Sequence, residues 1–245
     1  MQVRKNVTNF EKTLIYNFGN FFFNFYTNIP DNLERQYKFR FIYICTFLTF
    51  EDNRLKIKRN NTFEAMQEQQ LKKYLNLSER EYYKTKKALI EYKLLEYSDK
   101  YIAVNNKISL VGGINNKAKQ NYTRIFKNSI YELYNKSTAR EHKKLGLFID
   151  LLPYIHFKYN IICKNPTCEH MQDIEPITLK ELATILNYKN SSELKTQLLN
   201  TFVAGEKTML LVEDFNKRFF IVNPRIYFKG SRTEHLTYLI NLFRI

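Results

Sequence analysis

The chain has 245 residues, with 39 Lys+Arg against 24 Asp+Glu and a formal charge of +15. A hydrophobic share of 44% with 16% aromatics supports a packed core and excludes wholesale disorder. Six glycines and five prolines exclude collagen-like and low-complexity chains. The length suits one large domain or two of about 100–150 residues. The positive excess points to a polyanionic partner, nucleic acid ahead of an anionic membrane surface. The abundance of Lys, Asn, Ile, Tyr and Phe is also what AT-rich coding produces, so the placement of the cations weighs more than their number.

The first helix is expected where Leu14, Phe18, Phe21 and Phe22 follow i, i+4, i+7, i+8. Residues 39–50 form the longest apolar run, 12 residues that include Arg40. A bilayer span needs about 20 apolar residues, so this run predicts a buried helix. A third helix ends near Leu75, Asn76 and Leu77 turn the chain, and Ser78-Glu79-Arg80-Glu81 reads as a capping box opening a helix to Tyr92. A hairpin follows: Lys93 to Ser98, a tight turn at Asp99-Lys100, and Tyr101 to Val104.

The same order then recurs. Phe126, Ile130, Leu133 and Tyr134 share a helix face, and residues 144–157 predict a buried helix shortened or kinked at Pro153. Thr178 and Glu181 form a capping box for a short helix through Leu186, residues 187–190 turn, and Ser191 or Ser192 caps the next helix. Met209 to Val212 and Phe219 to Val222 predict a second hairpin. Leu236, Leu239, Ile240 and Phe243 suggest a docking helix at the C-terminus.

Repetition is visible residue by residue. Val104, Asn105, Ile108 and Gly112 match Val222, Asn223, Ile226 and Gly230 at a spacing of 118. Leu71, Leu75 and Asn76 match Leu182, Leu186 and Asn187 at 111; Phe41, Ile42 and Phe50 match Phe148, Ile149 and Phe157 at 107. Leu14, Phe18 and Phe21 answer Phe126, Ile130 and Leu133 at 112. Four blocks in one order make two homologous modules, residues 1–114 and 115–230, with a helical tail over 231–245. The Asn- and Lys-rich residues 115–121 read as the link. The expected fold is mainly α with small β-hairpins (α+β): two tandem winged helix-turn-helix domains.

In that arrangement the second helix of the pair enters the major groove and the hairpin reaches backbone or minor groove. In the first module Arg80, Tyr83, Lys84 and Lys87 fall opposite the inward stripe of Tyr82, Thr85, Leu89 and Tyr92, and Lys100 stands at the hairpin tip. Cations there neutralise phosphates, and Arg80 suits bidentate contact with guanine. The second module offers Lys189, Ser192, Lys195 and Thr196 on its helix and Lys217 and Arg218 on its hairpin, beside an unhelpful Glu193. Arg54, Lys56, Lys58 and Arg59 form a compact loop cluster, equally suited to solvent and to DNA. Lys117, Lys119, Arg124, Lys127, Lys136, Arg140, Lys143 and Lys144 are spread around helix faces and fit generic phosphate tracking at most. A solvated basic face without a ligand is the plain alternative for any of these groups.

Other chemistry finds less support. Asn105 and Asn223 are expected to shape the strand exit. Cys163, Cys168 and His170, with His156 upstream, give one loose arm of a zinc site; an ordinary loop with two reduced thiols is the simpler reading, so no metal or cofactor is expected. Three cysteines without disulfide spacing and a polar start at Met1 to Asn6 predict a cytoplasmic protein with no secretory leader. No phosphate-cradling glycine motif and no paired catalytic histidines occur; Arg232, His235 and Tyr238 resemble recombinase residues only superficially, so no enzymatic activity is expected.

The run Phe219 to Gly230, with its Asn223-Pro224 and downstream glycine, resembles tandem winged-helix DNA-binding proteins of Firmicute plasmids and phages, the RepL-type replication initiators among them. His142 to Gly146, Leu152 to Ile155 and Cys163 to Pro166 resemble the same group, so the likeness covers the second module. It implies sequence-specific binding of double-stranded DNA in replication initiation or transcription control, in a bacterial cytoplasm and near the nucleoid or a plasmid. Further partners would be a second copy or the replication or transcription machinery, with no membrane. The rival reading is a protein-interaction or assembly adaptor that keeps the modules without binding DNA.

Overall fold

A computed structural model describes residues 8–50, 52–112, 122–214 and 217–244. The expected linker at 115–121, with Lys117 and Lys119, and the polar start at Met1 to Asn6 lie outside them. In chain order the helices are α1 (Asn9–Phe18), α2 (Arg35–Ile44), α3 (Glu68–Leu75), α4 (Glu79–Glu91), α5 (Lys127–Asn135), α6 (His142–Leu145), α7 (Leu147–Asp150), α8 (Leu179–Ile185), α9 (Ser191–Leu199) and α10 (Thr233–Phe243). The strands are β1 (Phe21–Asn24), β2 (Lys56–Arg59), β3 (Thr62–Ala65), β4 (Leu95–Tyr97), β5 (Ile102–Val104), β6 (Ser109–Leu110), β7 (Thr123–Phe126), β8 (Phe202–Val203), β9 (Glu206–Lys207), β10 (Met209–Asp214), β11 (Lys217–Val222) and β12 (Tyr227–Phe228). The chain is therefore mixed α+β with small antiparallel sheets.

It divides into two compact units whose borders differ from the module borders expected at 114/115. Among the described residues, the first unit lies within 20–149 and the second within 8–19 and 150–244. Helix α1, at the head of the first sequence repeat, thus belongs to the second unit, while β7 and α5 to α6 of the second repeat belong to the first.

In the first unit, β1 lies between β6 and β7 and runs antiparallel to both, with Phe23 opposite Leu110 and Arg124. Beneath it, Tyr43 of α2 stacks on Tyr134 of α5 with ring centres 3.7 Å apart. The Tyr134 hydroxyl donates to the Leu75 carbonyl at 2.8 Å, which closes the end of α3. Gly146 separates α6 from α7, and a Cβ there would stand 2.2 Å from the Arg35 carbonyl oxygen. Only a hydrogen fits that approach. The second unit buries Leu14 and Phe18 of α1, Leu182 of α8, Leu194 and Leu198 of α9, and Leu236, Leu239 and Phe243 of α10. The C-terminal helix therefore docks on its own unit.

The repeat is strongest in backbone chemistry. Asn76 ends α3 with φ 46°, and Asn187 follows α8 with φ 54°. Both occupy the left-handed region, which asparagine tolerates better than other side-chain-bearing residues. The Asn105 amide donates to the Lys93 carbonyl while its oxygen accepts the Lys107 N–H; Asn223 does the same with Lys207 and Arg225. Asn53 donates to the carbonyls of Val104 and Ser109, and Asn160 to those of Val222 and Tyr227. This third pair, 107 apart, was not among the matches expected from sequence.

Several expected elements change form. The helix drawn through Phe21 and Phe22 stops at Phe18, where Gly19 takes φ 81°, and Phe21 opens β1 instead. Phe126 likewise ends β7 rather than starting a helix, so Leu14 and Phe126 are not structural counterparts. The run 39–50 is helical to Ile44, then 3₁₀ over Cys45–Phe47. The run 144–157 breaks into α6, α7 and a 3₁₀ turn, Leu152–Tyr154, that holds Pro153.

Candidate nucleic-acid interface

Helix α4 begins at Ser78, whose hydroxyl accepts the Glu81 N–H. The reciprocal half of the expected capping box is missing, because the Glu81 carboxylate turns to Arg40 at 3.2 Å and Lys84 at 3.6 Å. A buried cation outbids a backbone N–H for that carboxylate. Tyr82, Thr85 and Leu89 are buried as the stripe requires, with Tyr92 half-buried at the C-cap. On the other side Arg80, Tyr83, Lys84 and Lys87 are all exposed, Tyr83 at 56%. Among the described residues, Arg80 and Lys87 have no carboxylate partner.

The next hairpin, β4–β5, pairs Leu95 with Val104 and Tyr97 with Ile102, and carries Lys100 exposed between the strands. It is fixed to α4 and α3 from two sides. Lys86 lies 4.5 Å from the Tyr97 ring centre and 2.7 Å from Glu68, and the Gln67 amide donates to the Lys100 carbonyl at 3.2 Å. Arg54 joins this group, bridging Ala103 through its backbone while its guanidinium sits 4.2 Å over the Tyr101 ring.

Arg54, Lys56, Lys58 and Arg59 are not a loop cluster. Lys56 to Arg59 form strand β2, turned at Asn60 and Asn61, both at positive φ, into β3. Two left-handed residues in sequence make the tight turn whose twist matches a hairpin. The strand alternation buries Ile57, and the cations divide: Lys56 pairs with Asp52 at 2.9 Å and Arg59 with Glu64 at 3.7 Å. Lys58 stays exposed opposite Phe63, itself 50% exposed.

In the second unit, α9 buries Leu194 and Leu198 and exposes Ser192, Lys195 and Thr196; Lys189 is exposed just before it. Asn190, not Ser191 or Ser192, is the cap: its side-chain oxygen accepts the N–H of Ser192 at 2.8 Å and of Glu193 at 3.4 Å. The Thr196 hydroxyl donates back to the Ser192 carbonyl. Lys217 and Arg218 are exposed on β11, where Arg218 pairs with Glu213 at 3.1 Å; the strands are six residues each, longer than expected, and the residues at their tip, 215–216, lie outside the described residues. A second small hairpin, β8–β9, had no sequence signal beyond Ala204-Gly205, both at positive φ.

The remaining basic row separates. Arg124 is buried, within 5.5–5.9 Å of the rings of Phe21, Phe23 and Tyr122, and Lys127 donates to the Leu48 carbonyl. Arg124 thus leaves the solvent-facing row and Lys127 is half-buried, while Lys136, Arg140, Lys143 and Lys144 remain exposed. Cys163 is buried with its thiol pushed up to about 12 by desolvation, and His170 is exposed. Cys168 lies 3.5 Å from His156, whose Nε2 is 2.9 Å from the Cys168 carbonyl and whose Nδ1 accepts the Lys158 N–H at 3.2 Å. Among the described residues, no group of three or more His, Cys, Asp or Glu is placed to hold a metal ion. Nor, among them, is any helix long and apolar enough to cross a membrane.

Sequence reasoning missed Arg40. It is 1% exposed and donates to Thr85, Glu81 and His142. Its signal was a lone guanidinium inside an apolar run, which burial allows only with partners supplied. His142 is buried against it, and desolvation with the Arg40 charge drives that imidazole down to about 4. No family model, curated protein or solved structure matches the chain.

Proposed function

We propose that the chain is a non-enzymatic, sequence-specific double-stranded DNA-binding protein built from two winged helix-turn-helix modules, acting in replication initiation or transcription control of a plasmid or phage. The reading rests chiefly on α4. A short helix, a left-handed asparagine and a second helix precede a hairpin, and the second helix exposes Arg80, Tyr83, Lys84 and Lys87 on one face with Lys100 on the hairpin. That order and that face suit insertion of α4 in the major groove, with the hairpin on the sugar-phosphate backbone. The second module would contribute Ser192, Lys195 and Thr196 with fewer phosphate contacts. Two covalently joined modules would read adjacent sites with a raised effective concentration for the second.

Titration of the full chain against duplex DNA from its own upstream region, at several salt concentrations, tests the reading. Binding should weaken linearly on a log–log salt plot. Affinity indifferent to salt would sink it. The adaptor reading draws on the exposed aromatics Phe63, Tyr74 and Tyr131 of the first unit. It predicts that charge reversal at Arg80, Lys84 and Lys87 leaves activity in cells unchanged.

A further inference from the structure

Arg40 reaches α4 from inside the protein. Its Nη1 donates to the Thr85 hydroxyl at 2.8 Å and to Glu81 Oε2 at 3.2 Å, and its Nε donates to His142 Nδ1 at 3.2 Å. Its Nη2 reaches the Ala139 carbonyl at 3.4 Å. Thr85 and Glu81 lie on the inner side of the same turns that present Arg80, Lys84 and Lys87 outward. Glu81 is shared: its second oxygen stands 3.6 Å from Lys84 Nζ. The Arg40 contact is shorter, and the Arg40 side chain is 1% exposed against 48% for that of Lys84. Charges removed from water attract more strongly and are screened less by salt, so the inward contact dominates.

We propose that Arg40 is a positioning residue for polyanion binding by α4. It holds and largely neutralises the Glu81 carboxylate from behind, so that Lys84 keeps only the longer 3.6 Å contact with it and the helix presents Arg80, Lys84 and Lys87 against a weakened negative charge. The proposal rests on the duplex-DNA reading of that face and supplies its electrostatic control. Without Arg40 the carboxylate turns to Lys84, which occupies one phosphate-binding cation and adds a charge that repels the backbone.

The test uses the full chain as wild type, Arg40→Met, Arg40→Met with Glu81→Gln, and Lys107→Gln. The last loses the same single charge at an exposed lysine outside the α4 face. Each is titrated against a mixed-sequence duplex of about 30 base pairs between about 50 and 200 mM salt, and eluted from immobilised heparin. Arg40→Met should weaken duplex binding about tenfold, make the log–log slope shallower by about one, and elute from heparin earlier than Lys107→Gln. The double variant keeps the packing loss but removes the carboxylate, and should return to within about threefold of wild type. A purely structural role for Arg40 predicts a double variant as weak as the single one, and that result overturns the proposal. Duplex binding in which Arg40→Met matches Lys107→Gln also overturns it, while leaving DNA binding intact. The expected heparin order with no duplex binding by any variant supports the Arg40 role and removes DNA as the ligand.

Discussion

Helices α4 and α9 hold the same place in their repeats but differ in what they show to solvent. Each follows a short helix and a left-handed asparagine, and each buries leucine on its inner side. Outward, α4 carries Arg80, Tyr83, Lys84 and Lys87, whereas α9 carries Ser192, Lys195 and Thr196 beside Glu193. Behind α4 stands a buried guanidinium; α9 is held by Leu194, Leu198 and a 2.8 Å bond from the Tyr188 hydroxyl to Gln197. The positions fixed by backbone geometry are the ones that repeat: Asn76 with Asn187, Asn53 with Asn160, and Asn105 with Asn223. The exposed positions have diverged, and the charge is concentrated on one of two similar frames.

The largest expected effect tests the assignment of α1. Leu14 is fully buried in the second unit, so Leu14→Ala should cost about 4 kcal/mol there. Hydrogen exchange should show α8 and α9 losing protection while α4 keeps it. Loss in α4 instead would reverse the assignment.

The pH response of the first unit comes next. His142 titrates near 4 when folded, below its ordinary value of about 6.5, so between those values the unfolded chain binds a proton that the folded chain refuses. Stability contributed by neutral His142 is complete above about 6.5 and is lost as pH falls toward about 4, on the order of 3 kcal/mol. Urea unfolding across that range should be flatter for His142→Gln than for wild type. Parallel curves would exclude His142 as the titrating group.

Charge reversal measures the contrast between the two helices. Arg80→Glu with Lys84→Glu and Lys87→Glu should weaken duplex binding roughly hundredfold, about 2.7 kcal/mol. Lys195→Glu should cost less than about tenfold in the same anisotropy titration. Equal losses would erase the distinction drawn between α4 and α9. The smallest effect concerns caps. Thr178 and Glu181 satisfy each other's backbone N–H at the start of α8, so Thr178→Ala should destabilise the second unit by about 1 kcal/mol in urea titrations. At α4 only the serine half exists, so Ser78→Ala should cost no more than that.

Much of the local structure was legible in the sequence because short-range rules govern it. The Thr178 box, the turns at Asn76 and Asn187, the β4–β5 hairpin and the inward stripe of α4 all depend on residues within a few positions of one another. The β2–β3 hairpin, Lys56 to Ala65, escaped because Asn60-Asn61 is a weaker turn signal than Asn-Gly, and its charged face hides the single inward Ile57. Arg124 escaped because a cation is expected outside unless aromatic rings surround it, and those rings come from β1 and the residue before β7.

By itself, the sequence determined the helix–asparagine turn–helix–hairpin order around α4 and around α9, and the cations that α4 turns outward, since each follows from periodicity and capping chemistry along one stretch of chain. Tertiary structure decided which unit each leading segment joins, that Glu81 faces Arg40 rather than its own helix cap, and that Arg124 lies inside. Those outcomes depend on partners distant in sequence, such as His142 for Arg40, and burial makes the partner, not the local pattern, the controlling term.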